Sequence, residues 1–68
     1  MPTVVSSYLA ALEWKDGSGL IAQFTNGRVA QYPDVAESVY TEVIGSASVG
    51  SAFDRLVKKG GYAFTYLV

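Results

Sequence analysis

The sequence predicts an α+β domain: an antiparallel sheet of about four strands with a hairpin of two helices packed on one face, in the order strand, strand, strand, helix, helix, strand. Three observations predict it. Residues 8–14, YLAALEW, and 20–25, LIAQFT, are β-compatible runs parted by the turn residues of KDGSG, and a third run follows Asn26-Gly27. Two stretches with helical apolar spacing come next, and the chain ends on the alternating tail YAFTYLV.

Each element has its own signal. Asn and Gly both tolerate positive φ, so Asn26-Gly27 predicts a two-residue type I′ turn. That loop length sets Phe24 opposite Val29 and Ile21 opposite Tyr32. Leu20, Ala22, Phe24 and Val29 are then expected on the core face, and Ile21, Ala30 and Tyr32, joined by Trp14, on an open face. Val35, Val39 and Val43, with Ala36, Tyr40 and Ile44 alongside, predict the first helix, with Asp34 and Glu37 as a capping pair and Gly45 at its end. Val49, Ala52, Phe53, Leu56 and Val57 predict the second, with Ser48 as N-cap, Lys58 and Lys59 in its last turn and Gly60 closing it. Asp54 precedes Lys58 by four residues, the spacing of a helical ion pair. A last strand lying beside the first would give the sheet order 3-2-1-4.

Length and composition limit what the chain can do. Its 68 residues make one domain, 1–68, too short for a catalytic domain plus a regulatory one. Such a chain buries only about 60% of the surface its unfolded form exposes, which leaves a thin margin over chain entropy. Without Cys or His it has no disulfide and neither of the commonest structural zinc ligands. Hydrophobic residues make up 50% of it and charged ones 16%, against about 25% charged in an average soluble domain. Oligomerisation through an apolar patch is the expected supplement. The start MPTVVSSYLAALEWK has no basic region ahead of its apolar run, and no stretch reaches the roughly 20 apolar residues of a membrane span. The expectation is a cytoplasmic protein with no membrane partner. A net charge of −1 argues against strong non-specific attraction to phosphate backbone.

Residues SSYLAALEW, LIAQFTNGRVAQYPDVAESVY and ASVGSAFDRLVKKGGY resemble the KTSC domain over roughly residues 6 to 66. This small module is named for its place at the C-terminus of some lysyl-tRNA synthetases and is also found as a free-standing protein in bacteria and phages. The likeness rests on the aromatic after the hairpin, on the VxxxVY pattern from Val35 to Tyr40, and on Ser48, Gly50 and Phe53 in the second helix. Two positions depart from the pattern: the family's Tyr-x-Tyr is Ala30-Gln31-Tyr32 here, and the proline early in the first helix is Ala36. The resemblance implies the fold above and no established activity. A suggestion of RNA binding attaches to the family through the synthetase connection.

The residues themselves offer little chemistry for catalysis. His and Cys are absent, and the six acids Glu13, Asp16, Asp34, Glu37, Glu42 and Asp54 are scattered over turns and helix faces. No enzyme and no cofactor is expected. The expected function is a non-catalytic interaction module, a homo-oligomer engaging a protein partner in an accessory or host-directed role. Its interface candidates are Trp14, Ile21, Ala30, Tyr32, Tyr62, Phe64 and Tyr66. The alternative is an RNA- or nucleotide-binding module. It would use Arg28, the Ser/Gly helix start at Ser48, Gly50 and Ser51, and the cations Lys58 and Lys59.

Overall fold

A computed structural model describes residues 8–68; the N-terminal residues 1–7, part of the stretch read above for a leader, lie outside the described residues. Three strands run β1 (Leu9–Lys15), β2 (Gly19–Phe24) and β3 (Val29–Tyr32). The helices α1 (Glu37–Ile44) and α2 (Val49–Phe53) follow, and α2 continues without a break into a π-helical segment, Asp54–Lys58. A short strand, β4 (Thr65–Tyr66), closes the chain. The α+β class and the single antiparallel sheet are as the sequence predicts; the order across the sheet is β1-β2-β3-β4, so the last strand pairs with the third rather than the first.

The hairpin between β2 and β3 settles which side chains meet the helices. The loop has three residues, not two. Gly27 N–H donates to the Phe24 carbonyl at 3.1 Å, and Phe24 N–H to the Arg28 carbonyl at 2.8 Å. Gly27 alone in this loop has positive φ, at 89°, so Asn26 is not in the left-handed conformation that a type I′ turn demands. Instead its Oδ1 accepts the Arg28 N–H at 3.0 Å. The added loop residue shifts the pairing by one, to Leu20 with Tyr32 and Ala22 with Ala30. A one-residue shift turns every side chain of the strand to the other face. Ala30 and Tyr32 therefore lie in the core, wholly buried and 4% exposed, and not on the open face. The alternative would have pushed the Gln31 amide among the apolar side chains, at a cost of about 1–3 kcal/mol unless paired. As formed, that amide donates to the Ser18 carbonyl at 2.9 Å.

The other strands conform to this face. A bulge in β1 between Leu9 and Ala11 puts Leu9 and Leu12, three residues apart, into the same core. Trp14 pairs with Leu20 and thus sits on the core side, where its indole N–H donates to the Val35 carbonyl at 2.8 Å. Trp14 is half-buried against the core, which corrects its expected place on the open face. The turn into β2 requires Gly19: φ is 78°, and a Cβ there would stand 2.7 Å from the Pro33 Cα.

The helices begin differently from the sequence reading. Pro33 and Asp34 form a turn, and α1 starts at Glu37 with Ala36 as N-cap and no side-chain cap bond. Val35 fills the core from the approach to the helix, and Val43 from within it. Ser48 is the N-cap residue of α2, as expected, although its side chain makes no cap bond. Helix α1 packs on β1 and β2 and against α2. Phe53, Ala52 and Val57 complete the core from the second helical segment. β3 and β4 lie beyond the reach of α1, and that is where a groove opens.

Substitutions at two neighbouring positions test the register. Ala30→Gln should cost about 3 kcal/mol or more, by overpacking and burying an amide, while Val29→Gln stays within about 1 kcal/mol. Urea unfolding followed by the single tryptophan reads both; the opposite ranking would restore the two-residue loop.

Candidate functional site

The groove lies on the helix side of the sheet, over β3 and β4. Its cavity is about 330 Å³. Tyr8 and Phe24 form one arm, with ring centroids 6.3 Å apart and planes inclined by 15°. Tyr32, Phe64 and Tyr66 form the other, Tyr32 to Phe64 at 5.3 Å and Phe64 to Tyr66 at 5.4 Å. Phe53, wholly buried, joins the arms: it lies 6.3 Å from Tyr8, 6.1 Å from Phe24 and 5.8 Å from Tyr32. Thr25, Asn26 and Tyr62 complete the lining with two cations, Arg28 and Lys58.

Backbone geometry explains why these side chains meet. Tyr8 is held at both ends: its carbonyl accepts the Thr25 N–H at 2.9 Å, and its hydroxyl donates to the Gly50 carbonyl at 2.8 Å. Tyr66 pairs with Ala30, so its ring points to the same side as the core. Its neighbour Thr65 pairs with Gln31 on the other side, and Phe64 turns back towards Tyr32. The one-residue alternation of the tail thus lays two aromatic rings beside the groove. Both remain about half exposed, 49% for Phe64 and 51% for Tyr66.

Each arm carries a cation on one of its rings. The Arg28 guanidinium lies 5.1 Å from the centre of the Tyr66 ring, and Lys58 Nζ lies 5.4 Å from that of Tyr8. The π-helical segment places Lys58. Lys59 N–H donates to the Asp54 carbonyl at 2.9 Å, five residues back, and the wider turn rotates the following residues. Asp54 therefore pairs with Lys59, at 3.4 Å, and not with Lys58, the partner expected of an α-helix. Lys58 turns to the groove instead. Among the described residues neither Arg28 nor Lys58 is in an ion pair.

Burial raises the Tyr32 phenol above its usual value of 10.0, with the Tyr66 and Tyr8 phenols adding to the effect. Burial also raises Tyr8, with the Asp54 charge adding to it. The groove floor is thus neutral throughout the physiological range.

The residues singled out in the sequence divide among several places. Tyr32, Tyr62, Phe64, Tyr66, Arg28 and Lys58 line the groove. Trp14 and Ala30 belong to the core, and Ile21 stays on the opposite sheet face, level with Glu13 and Gln31. Ser48, Gly50, Ser51 and Lys59 do not line the cavity. Ser48 N–H donates to Ser46 Oγ at 3.2 Å, which in turn donates to the Ser48 carbonyl, and the Gly50 carbonyl holds Tyr8. Tyr8 and Phe24 are groove residues that the sequence reading did not single out. Their signal was the aromatic at the open end of each of the first two strands. Among the described residues no three acidic side chains converge as a metal site, and no helix is long and apolar enough to cross a membrane.

The family model for the KTSC domain matches residues 5–62. The match takes in Tyr8, Phe24, Arg28, Tyr32, Lys58 and Tyr62 of the groove and ends before Phe64 and Tyr66. No curated protein matches the chain.

Raised phenol pKa values tie stability to pH. The neutral phenol is the form the fold favours, so this contribution is whole below pH 10.0 and is lost as pH rises through the higher folded-state values. Urea midpoints should fall as pH climbs above about 10, and Tyr32→Phe should flatten that fall. A midpoint that held steady, or rose, would contradict the burial of Tyr32.

Proposed function

The chain belongs to the KTSC domain family, and from that premise we propose that it is a non-catalytic binding module whose aromatic groove takes an unpaired nucleotide of RNA. One observation carries the reading: a half-open groove walled by aromatic rings, with a cation on a ring of each arm. Every base has a π-face, and stacking on an exposed aromatic side chain contributes about 1–3 kcal/mol per base. A guanidinium or ammonium at the rim supplies what the base lacks, a partner for phosphate. Paired RNA keeps its bases stacked within the helix, so the ligand is single-stranded. With a net charge of −1 the protein does not attract nucleic acid as a whole, and its affinity depends on the two groove cations.

A second reading, association with itself or with a protein partner, is supported by a different observation. Phe64, Tyr66, Leu67 and Val68 are all exposed large hydrophobics at the end of the chain. Under this reading the groove wall is the edge of an interface in a homo-oligomer. The open sheet face contributes little to it, since Glu13, Gln23 and Gln31 interrupt Ile21 and Val29 there.

Fluorescence anisotropy with labelled single-stranded oligoribonucleotides tests the first reading against the second. Binding should weaken with salt, and Phe64→Ala and Tyr66→Ala should each lower affinity about 5- to 100-fold, the range of one stacked base. Duplex RNA should compete poorly. No binding by the folded protein, or binding indifferent to both substitutions, would remove the nucleotide reading; a light-scattering mass above the 7.3 kDa of one chain would then support self-association.

A further inference from the structure

We propose that the groove is built for one internal nucleotide of a single strand, with the phosphates on its two sides held by different cations, Arg28 and Lys58. The inference rests on the nucleotide reading above and specifies the ligand further. Its basis is the separate placement of the two charges. Arg28 comes from the β2–β3 hairpin and lies on Tyr66; Lys58 comes from the π-helical segment and lies on Tyr8. Between those two rings the aromatic contacts run through Phe64, Tyr32 and Phe53. The cations thus lie on rings of different arms of the groove, one on each side of its cavity.

The chemistry of each end agrees. A guanidinium beside a ring has five N–H donors in a fork that matches an anion, and an ammonium acts as a compact point charge. Both side chains are exposed, so neither charge is spent on desolvation. Asp54, the acid whose charge reaches Tyr8, is engaged by Lys59 at 3.4 Å, which lessens its repulsion of a phosphate near Lys58. The cavity of about 330 Å³ falls at the small end of ligand pockets, the size of a single nucleoside rather than a run of bases. A nucleoside whose base enters this groove leaves its 5′ and 3′ oxygens directed outwards, and only an internal nucleotide has phosphate on both.

The test is calorimetric titration with adenosine, adenosine 5′-monophosphate, adenosine 3′-monophosphate and adenosine 3′,5′-bisphosphate. The bisphosphate should bind about tenfold or more tightly than either monophosphate, the gain expected of one added charge-assisted contact. Arg28→Gln should bring it down to the level of one monophosphate and Lys58→Gln to that of the other. Each variant should also make the affinity for the bisphosphate less sensitive to salt, since one screened charge contact is lost. Circular dichroism establishes that both variants are folded. If the bisphosphate binds no better than a monophosphate, or both variants weaken the same monophosphate, the two-phosphate inference is overturned while the groove remains a nucleotide site. If no adenosine compound binds the folded protein, the nucleotide reading fails and this inference with it. A Glu-Trp-Glu peptide that binds more tightly than the bisphosphate would assign the same groove and cations to an acidic protein partner, and would overturn it too.

Discussion

The three-residue loop of Thr25, Asn26 and Gly27 decides which side of the sheet receives Tyr32, and the rest of the structure is arranged around that choice. With a three-residue loop, Leu20, Ala22, Ala30 and Tyr32 form one continuous buried surface. The two alanines at its centre are wholly buried and leave room for a large neighbour. Phe53 is the largest fully buried side chain, and full burial of a side chain of this size stabilises the fold by about 1.5–3 kcal/mol. The same ring packs edge-on against Tyr32. Phe53 therefore supports from within the core the Tyr32 ring, which belongs to the core and lines the groove.

A domain this small cannot spare apolar residues, yet it leaves Phe64 and Tyr66 half exposed. Helix α1 covers β1 and β2 and stops short of β3 and β4, while α2 reaches Tyr32 of β3 through Phe53. The tail then pairs with β3, where Phe64 meets Tyr32, and not with β1. The exposed aromatic surface is thus a result of where α1 stops. It is held in place by short-range ring contacts and by the Leu67 N–H donated to the Val29 carbonyl at 2.7 Å.

Much of this could be read in the sequence, and the part that could not has a physical explanation. The strands, both helices and the core positions Leu20, Ala22, Val43, Phe53 and Val57 follow from periodicity, which survives an error of one residue in a loop. Side-chain facing in β3 does not survive it. Asn26-Gly27 suits a two-residue turn and equally a three-residue one in which only Gly27 is left-handed, and the outcome depends on whether Tyr32 or Gln31 is better buried. That is a tertiary question. The aromatic tail was legible as surface, but its meeting with Arg28 depends on the sheet order, and the meeting of Lys58 with Tyr8 depends on a helical irregularity that residue type does not announce.

That irregularity has an evolutionary side. A π turn holds one residue more than an α turn, so the segment from Asp54 to Lys58 is equivalent to an ordinary helix that has gained a single codon. Losing that codon together with the wider turn would leave the residues behind it in phase, because the present Lys59 would then stand four residues after Asp54; the loss would be tolerated outside Val57, which is wholly buried. The Asp54 carboxylate would keep its present lysine, now at ordinary α-helical spacing. Among homologous chains this turn can therefore differ by one residue in length without disturbing the pair beside the groove, and the basic residue itself marks which members keep a charged rim.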